Sequence, residues 1–186
     1  MFSVLDIPGN WSDISHWATT SGGNVFHEVI PSSMDDVIFD QASFLINNET
    51  VTIDVASASC LNMIWTNATN LPTLNNLSSS SLLIHGDLRL KPQMDFAFNG
   101  TVSFRGEGAY TISTFGQNLG ANVYFDNPDG SWQVDGPLRL SNALFLRKGS
   151  VVINDIIECK FLHIIPATQE DNCVVSINAG VTISGN

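Results

Sequence analysis

The chain has 186 residues, enough for one domain with a real core, and it is 44% hydrophobic but only 13% charged, which excludes the low-hydrophobicity, high-charge regime of disorder. Its 7 Lys and Arg stand against 18 Asp and Glu, a formal net charge of -11, so neither a phosphate backbone nor an anionic lipid surface is an expected partner. Asn, Ser, Thr and Gly fill the places that charges leave, the composition of turn-rich β structure.

The first element in chain order is "GNWSDISHWATTSGG", which holds two of the four tryptophans, Trp11 and Trp17, ahead of any regular pattern. Ser12 is a candidate cap for one helical turn that would bring the two indoles together. Two readings follow. The indoles form a structural cap over the open end of a core, or they present a platform on which sugar rings stack. The cap assigns residues 1–30 to a capping segment. Next, "PSSMDDVIFD" reads as a turn entering a strand; Asp35, Asp36 and Asp40 are considered as cation ligands, but neighbours in a strand point to opposite faces. Short β-branched or aromatic runs follow, each bounded by Gly, Asn, Asp or Pro: "TVTIDV", "LLIHGDLRL", "TVSFRG", "AYTIST", "NVYF", "SWQV", "VVSI" and "VTISG". "DNPDG" at 126–130 is turn chemistry and lacks the ligand pattern of a calcium loop. "INDIIECKFLHII" fits a helix or a strand. Its isoleucines and neighbours favour a strand, with Ile157, Cys159, Phe161, His163 and Ile165 on one face.

A glycine followed by alternating apolar residues recurs at Gly86, Gly100 and Gly136, and more loosely at Gly149 and Gly180. From Gly86 to Gly136 is 50 residues and from Gly136 to Gly180 is 44, which suits pairs of coils of roughly 20–25 residues. The expected fold is therefore all-β, a β-solenoid over residues 31–186 with a cap at its N-terminal end. Stacked strands would pile aliphatics into one core, and Asn, Ser and Thr would form ladders at the bends. Like charges would be excluded from such columns. An ordinary β-sandwich is the competing architecture.

Three cysteines, Cys60, Cys159 and Cys173, form no CxxC pair. They read as buried small hydrophobes, or Cys159 and Cys173 form a disulfide across adjacent layers and leave Cys60 odd. The four histidines have no metal-ligand spacing, so no zinc site, and no other cofactor, is expected. No apolar run approaches a membrane span, and the start of the chain lacks a signal-peptide pattern. Because "VSINAGVTISGN" ends within strand-like alternation, the solenoid is expected to be truncated at its C-terminal end and the native chain to be longer.

"GNWSDISHWATTSGG", "PSSMDDVIFD" and "TVTIDVASASCLNMIWTNATNLPTL" together resemble the N-terminal region of large β-solenoid surface proteins of Bacteroidetes. In these, a W-S-D-x-x-x-W segment precedes D-D-V-x-F-D, T-V-T-I-D and a Cys shortly before a Trp, here Cys60 and Trp65. The resemblance covers about Gly9 to Leu74. It implies a right-handed parallel β-helix, placement outside the cell and at its surface, and a part in surface structure or adhesion.

No GxSxG, P-loop, HExxH or dinucleotide motif is present. The carboxylate pairs are Asp35–Asp36, Asp126 with Asp129, and Glu170–Asp171. The cations Arg89, Lys91, Arg105, Arg139, Arg147, Lys148 and Lys160 are spread thinly. No catalytic residue is therefore assigned. The expected function is that of a non-enzymatic structural module, a stalk, filament or adhesin, with glycans or other surface proteins as partners. The alternative is a polysaccharide-acting enzyme or a carbohydrate-binding module on the same scaffold. A groove with convergent carboxylates and a Lys or Arg would favour the enzyme, exposed coplanar aromatics the binding module, and a smooth flank the stalk.

Overall fold

Every β-branched or aromatic run named above becomes a strand, and almost every strand pairs in parallel with the equivalent strand one coil away. The computed structural model describes residues 9–77, 79–164 and 173–183, with the backbone of 2–4. These residues form a β-solenoid of about 6 turns without an α-helix. No helix among the described residues is long and apolar enough to cross a membrane.

Each coil contributes to three faces. The first face stacks Phe2–Val4, Val37–Phe39, Met63–Trp65, Leu88–Arg89 and Gly108–Ser113. The second stacks Ser57–Cys60, Ser81–Ile84 and Thr101–Phe104. Two long strands, Asn122–Asp135 and Ala143–Ile153, then serve both faces in succession, followed by Phe161–Ile164 on the second and Cys173–Ile177 on the first. The third face has a four-stranded part, Gly9–Asn10, Thr50–Ile53, Thr73–Asn76 and Asp95–Phe96. Its three-stranded part is Leu138–Arg139, Ile157–Cys159 and Val181–Ile183.

Strict parallel register turns the alternation of each strand into columns. On the first face Val37, Met63, Leu88, Ile112, Val134, Ile153 and Ile177 stand one above another. The first six are completely buried. The second face adds Ala58, Leu82, Val102, Val123, Leu144 and Leu162. Neighbouring strands lie about 4.8 Å apart, so each apolar side chain rests on its counterpart and one continuous core runs through the coils.

Polar ladders run beside these columns. Asn62 Nδ2 donates to Asp36 Oδ1 at 2.6 Å, Asn62 Oδ1 accepts from Asp87 N at 2.6 Å, and Asp87 Oδ1 accepts from Thr111 N at 2.7 Å. Asn178 Nδ2 donates to Asn154 Oδ1 and Asn154 Nδ2 donates to Asp135 Oδ1. In both ladders an amide or a neutral side chain separates any carboxylate from the next. Stacking two carboxylates 4.8 Å apart would be repulsive.

Three expectations need correction. The glycine motif keeps its two-coil spacing only from Gly136 to Gly180, which precede Leu138 and Val181 on the third face; Gly86 precedes the first-face strand at Leu88 and Gly100 the second-face strand at Thr101. It marks corners on all three faces. True coil length, read down the first-face column, is 26 residues from Val37 to Met63 and 19 from Val134 to Ile153. Gly149 shows why a corner needs glycine: its φ is +85°, and a Cβ there would lie 2.4 Å from the carbonyl oxygens of Asn127 and Gly130. Second, the short turn at Ile14–His16 is capped by Asp13, whose carboxylate accepts from Ser15 N. Ser12 instead donates from its hydroxyl to Asp54 Oδ2 at 2.5 Å. Third, Ile157 and Cys159 point inward, but the chain bends at Lys160; Phe161 is then 54% exposed and Leu162 continues the core.

The column and its flank should respond very differently to truncation. Ile112→Ala, in the middle of the first-face column, should cost about 2–5 kcal/mol in a denaturation experiment. Its exposed neighbour Thr111→Ala should stay within about 0.5 kcal/mol of the parent.

Candidate functional site

A groove and an aromatic ladder lie on the second face, on the outward sides of residues whose neighbours build the core. Register places Ser103, Tyr124, Phe145 and His163 in one outward column. The Tyr124 and Phe145 rings stack with centroids 4.3 Å apart and planes within 5°; Phe145 and His163 stack at 4.7 Å and 6°. Each inner ring face is therefore covered by the next ring, and Phe145 offers only its edge to solvent. The ladder is a stacking column rather than a row of side-by-side platforms.

On the N-terminal side of Tyr124 the column continues with Ser103, too small to cover a ring. The space that results is an open groove of about 260 Å³. Ser81, Leu83, Thr101 and Ser103 form its floor. Arg147 lies against its wall, with Cζ 4.7 Å from the Tyr124 centroid and 5.6 Å from that of Phe145. Arg105 and Asp126 complete the rim, paired Nη2 to Oδ2 at 3.6 Å. Burial, then the nearby Arg105 charge, lowers the pKa of His85 below its ordinary value.

Trp11 and Trp17 are both completely buried, so neither offers a face to a sugar. They meet edge to face at 5.0 Å, and Trp17 Nε1 donates to the Trp11 carbonyl at 2.9 Å. Trp17 also packs on Phe39, which stacks on Trp65 at 4.0 Å.

The cysteines are free thiols, and no Cys159–Cys173 disulfide is formed. Cys159 lies on the third face, whereas Cys173 lies on the first and its thiol donates to the Leu146 carbonyl at 3.4 Å. Burial raises the pKa of all three thiols, most strongly for the fully enclosed Cys60, where the Asp36 charge adds to it.

The acidic residues do not converge. Asp35 accepts from the Ser32 amide and hydroxyl, Asp36 from Asn62, and Asp40 from the Ala42 amide. At "DNPDG" the chain turns a corner within one long strand, and Asn127 Oδ1 accepts from Asp129 N at 3.0 Å. Glu170 and Asp171 lie outside the described residues. Among the described residues no group of three or more His, Cys, Asp and Glu is placed to hold a metal ion.

Reading the sequence missed the groove because Arg105 and Arg147 are distant in the chain. One signal was available: Arg105, Asp126 and Arg147 stand at equal intervals of 21 residues, as do Ser103, Tyr124 and Phe145.

Two measurements check these assignments. The denatured chain should titrate three thiols, and the native chain should protect Cys60 from alkylation; a denatured count of one would reveal a Cys159–Cys173 bridge. Because the folded-state pKa of His85 is depressed, the unfolded chain binds the proton more readily. The His85 contribution is therefore complete above the unfolded-state value of 6.5 and lost as pH falls from there through the lower folded-state pKa. His85→Gln should flatten the fall in melting temperature between about pH 7.5 and 5.5.

No family model, no curated protein and no solved structure matches the chain.

Proposed function

We propose that this chain is a non-enzymatic structural module of an extracellular bacterial surface protein, serving as a stalk, filament or adhesin. The observation that carries the reading is the first-face column from Val37 to Ile177, held in register through every coil. A stalk must transmit force and resist proteases over its length. A core built from identical local contacts does both, because no coil depends on a distant part of the chain. The resemblance of Gly9–Leu74 to Bacteroidetes surface proteins supports the placement at the cell surface.

The reading includes a right-handed coil and an N-terminal cap. Burial of Trp11 and Trp17, and the contact of Trp17 with Phe39 at the beginning of the core, supports the cap. So does the antiparallel pairing of Ser3 with Ala18 and Val4 with Trp17, set against the otherwise parallel strand pairs. Surface proteins or glycans are the proposed partners. A polysaccharide-cleaving enzyme would need convergent acid and base groups, and the divergence of Asp35, Asp36 and Asp40 weighs against it.

Trp17→Ala should destabilise the protein by about 3–5 kcal/mol and promote end-to-end association, read by melting and by light scattering. Trp17→Phe, which removes the hydrogen bond to Trp11 but keeps most of the ring, should cost only about 1 kcal/mol. Unchanged melting and a monomeric Trp17→Ala variant would defeat the cap. For the function itself, cells displaying the native protein should lose it to externally added protease, and purified protein should leave pectins, alginates and neutral glycans uncleaved. Turnover of any of them would replace the structural reading with an enzymatic one.

A further inference from the structure

We propose that the second-face groove beside Tyr124 is a binding site for an acidic glycan, a chain whose sugars carry carboxylate or sulfate groups. This goes beyond a structural role and rests on the groove alone.

The first ground is charge. In a chain with 7 Lys and Arg and a net charge of -11, two of the four arginines line this one groove. Its carboxylate, Asp126, is already engaged with Arg105 at 3.6 Å. Arg147 makes no ion pair among the described residues; its guanidinium lies on Tyr124, which leaves its hydrogen-bonding edge for a ligand. A planar guanidinium receives a carboxylate or sulfate in a two-point contact.

The second ground is the lining. Ser81, Thr101 and Ser103 line the groove with hydroxyl-bearing side chains, Ser103 nearly buried among them, and hydroxyls suit a sugar's own as donors or acceptors; Tyr124 supplies an aromatic wall. The residues come from four successive coils, so the groove runs along the solenoid for about three strand spacings, roughly 14 Å. That length suits a short oligosaccharide better than a single ring.

The third ground separates a sugar from a peptide. An extended acidic peptide would bind best by adding a strand to a free sheet edge. Here Thr101–Phe104 is paired on both sides, with Ser81–Ile84 and with Asn122–Phe125, so its backbone has no open edge. Recognition must come from side chains, which fits a hydroxyl-rich ligand.

Binding of the whole chain to short oligogalacturonates, oligomannuronates and sulfated oligosaccharides is compared with neutral oligosaccharides of equal length. A chelator is present throughout, so that divalent cations cannot bridge two acidic partners. The acidic oligosaccharides should bind, and binding should weaken with salt. Which acid binds distinguishes a carboxylate from a sulfate ligand. Arg147→Met, which keeps a flexible apolar stem over Tyr124, should weaken binding by about tenfold while leaving the melting temperature close to the parent. Asp126→Asn should tighten it by freeing Arg105; a site for neutral sugars would instead lose an acceptor and weaken. The proposal is overturned by absent binding in the presence of chelator, by equal binding of neutral sugars, or by equal binding of poly-glutamate. Any of these leaves the structural module untouched, because that reading depends on the core column and not on the groove.

Discussion

Everything in this molecule depends on parallel register. When strands stack about 4.8 Å apart in parallel, each side chain meets first the residue at the same position of the next coil. A residue's environment is then set by a column rather than by a pocket. Aliphatic columns merge into a core, amide columns become ladders, and aromatic columns become ring stacks. Charges are accommodated where the column alternates in sign, as with Arg139 beside Glu158, or where an amide intervenes, as with Asn62 between Asp36 and Asp87. The sparse charge of the whole chain is a result of the same constraint.

The same rule explains which parts of the molecule were legible beforehand. Alternation in runs such as "TVSF" identified strands and their inward residues, because strand periodicity is local. The expected amide ladders also form, since Asn at a corner has a partner wherever the next coil places one. Coil register was not legible, because it is a property of pairs of coils. Glycines looked like markers of a period, yet a sharp corner requires them on any face, so Gly86 and Gly136 recur for the same local reason at inequivalent places. The inward face of "INDIIECKFLHII" was assigned as one strand because nothing within it announces the bend at Lys160; that bend is set by the backbone of the preceding coil, where the Lys160 amide donates to the Asn142 carbonyl.

The groove was hidden for a related reason. Its residues are regular at 21-residue intervals, but other coils are longer or shorter, so no single period runs through the chain to expose it. Tyr124, Phe145 and Arg147 also read individually as ordinary strand residues. Only stacking makes them neighbours, and only the small Ser103 in the same column opens a space beside them. The tryptophans were easier. Two indoles in a polar segment can seldom both remain in water, so burial is the expected outcome, and the contact of Trp17 with Phe39 accompanies it.

The unequal coils have one more consequence. A solenoid of identical coils can slip by a whole turn, or exchange coils between molecules, without losing a contact. Here a coil of 26 residues and one of 19 present corners at different places, so they are not interchangeable. Slippage would set Phe39 or Trp65 against positions that receive aliphatics elsewhere, and would break the Asp36–Asn62–Asp87 ladder. The variation in length thus works as a key cut along the rod: each coil recognises its own neighbours, and the chain has one way to wind.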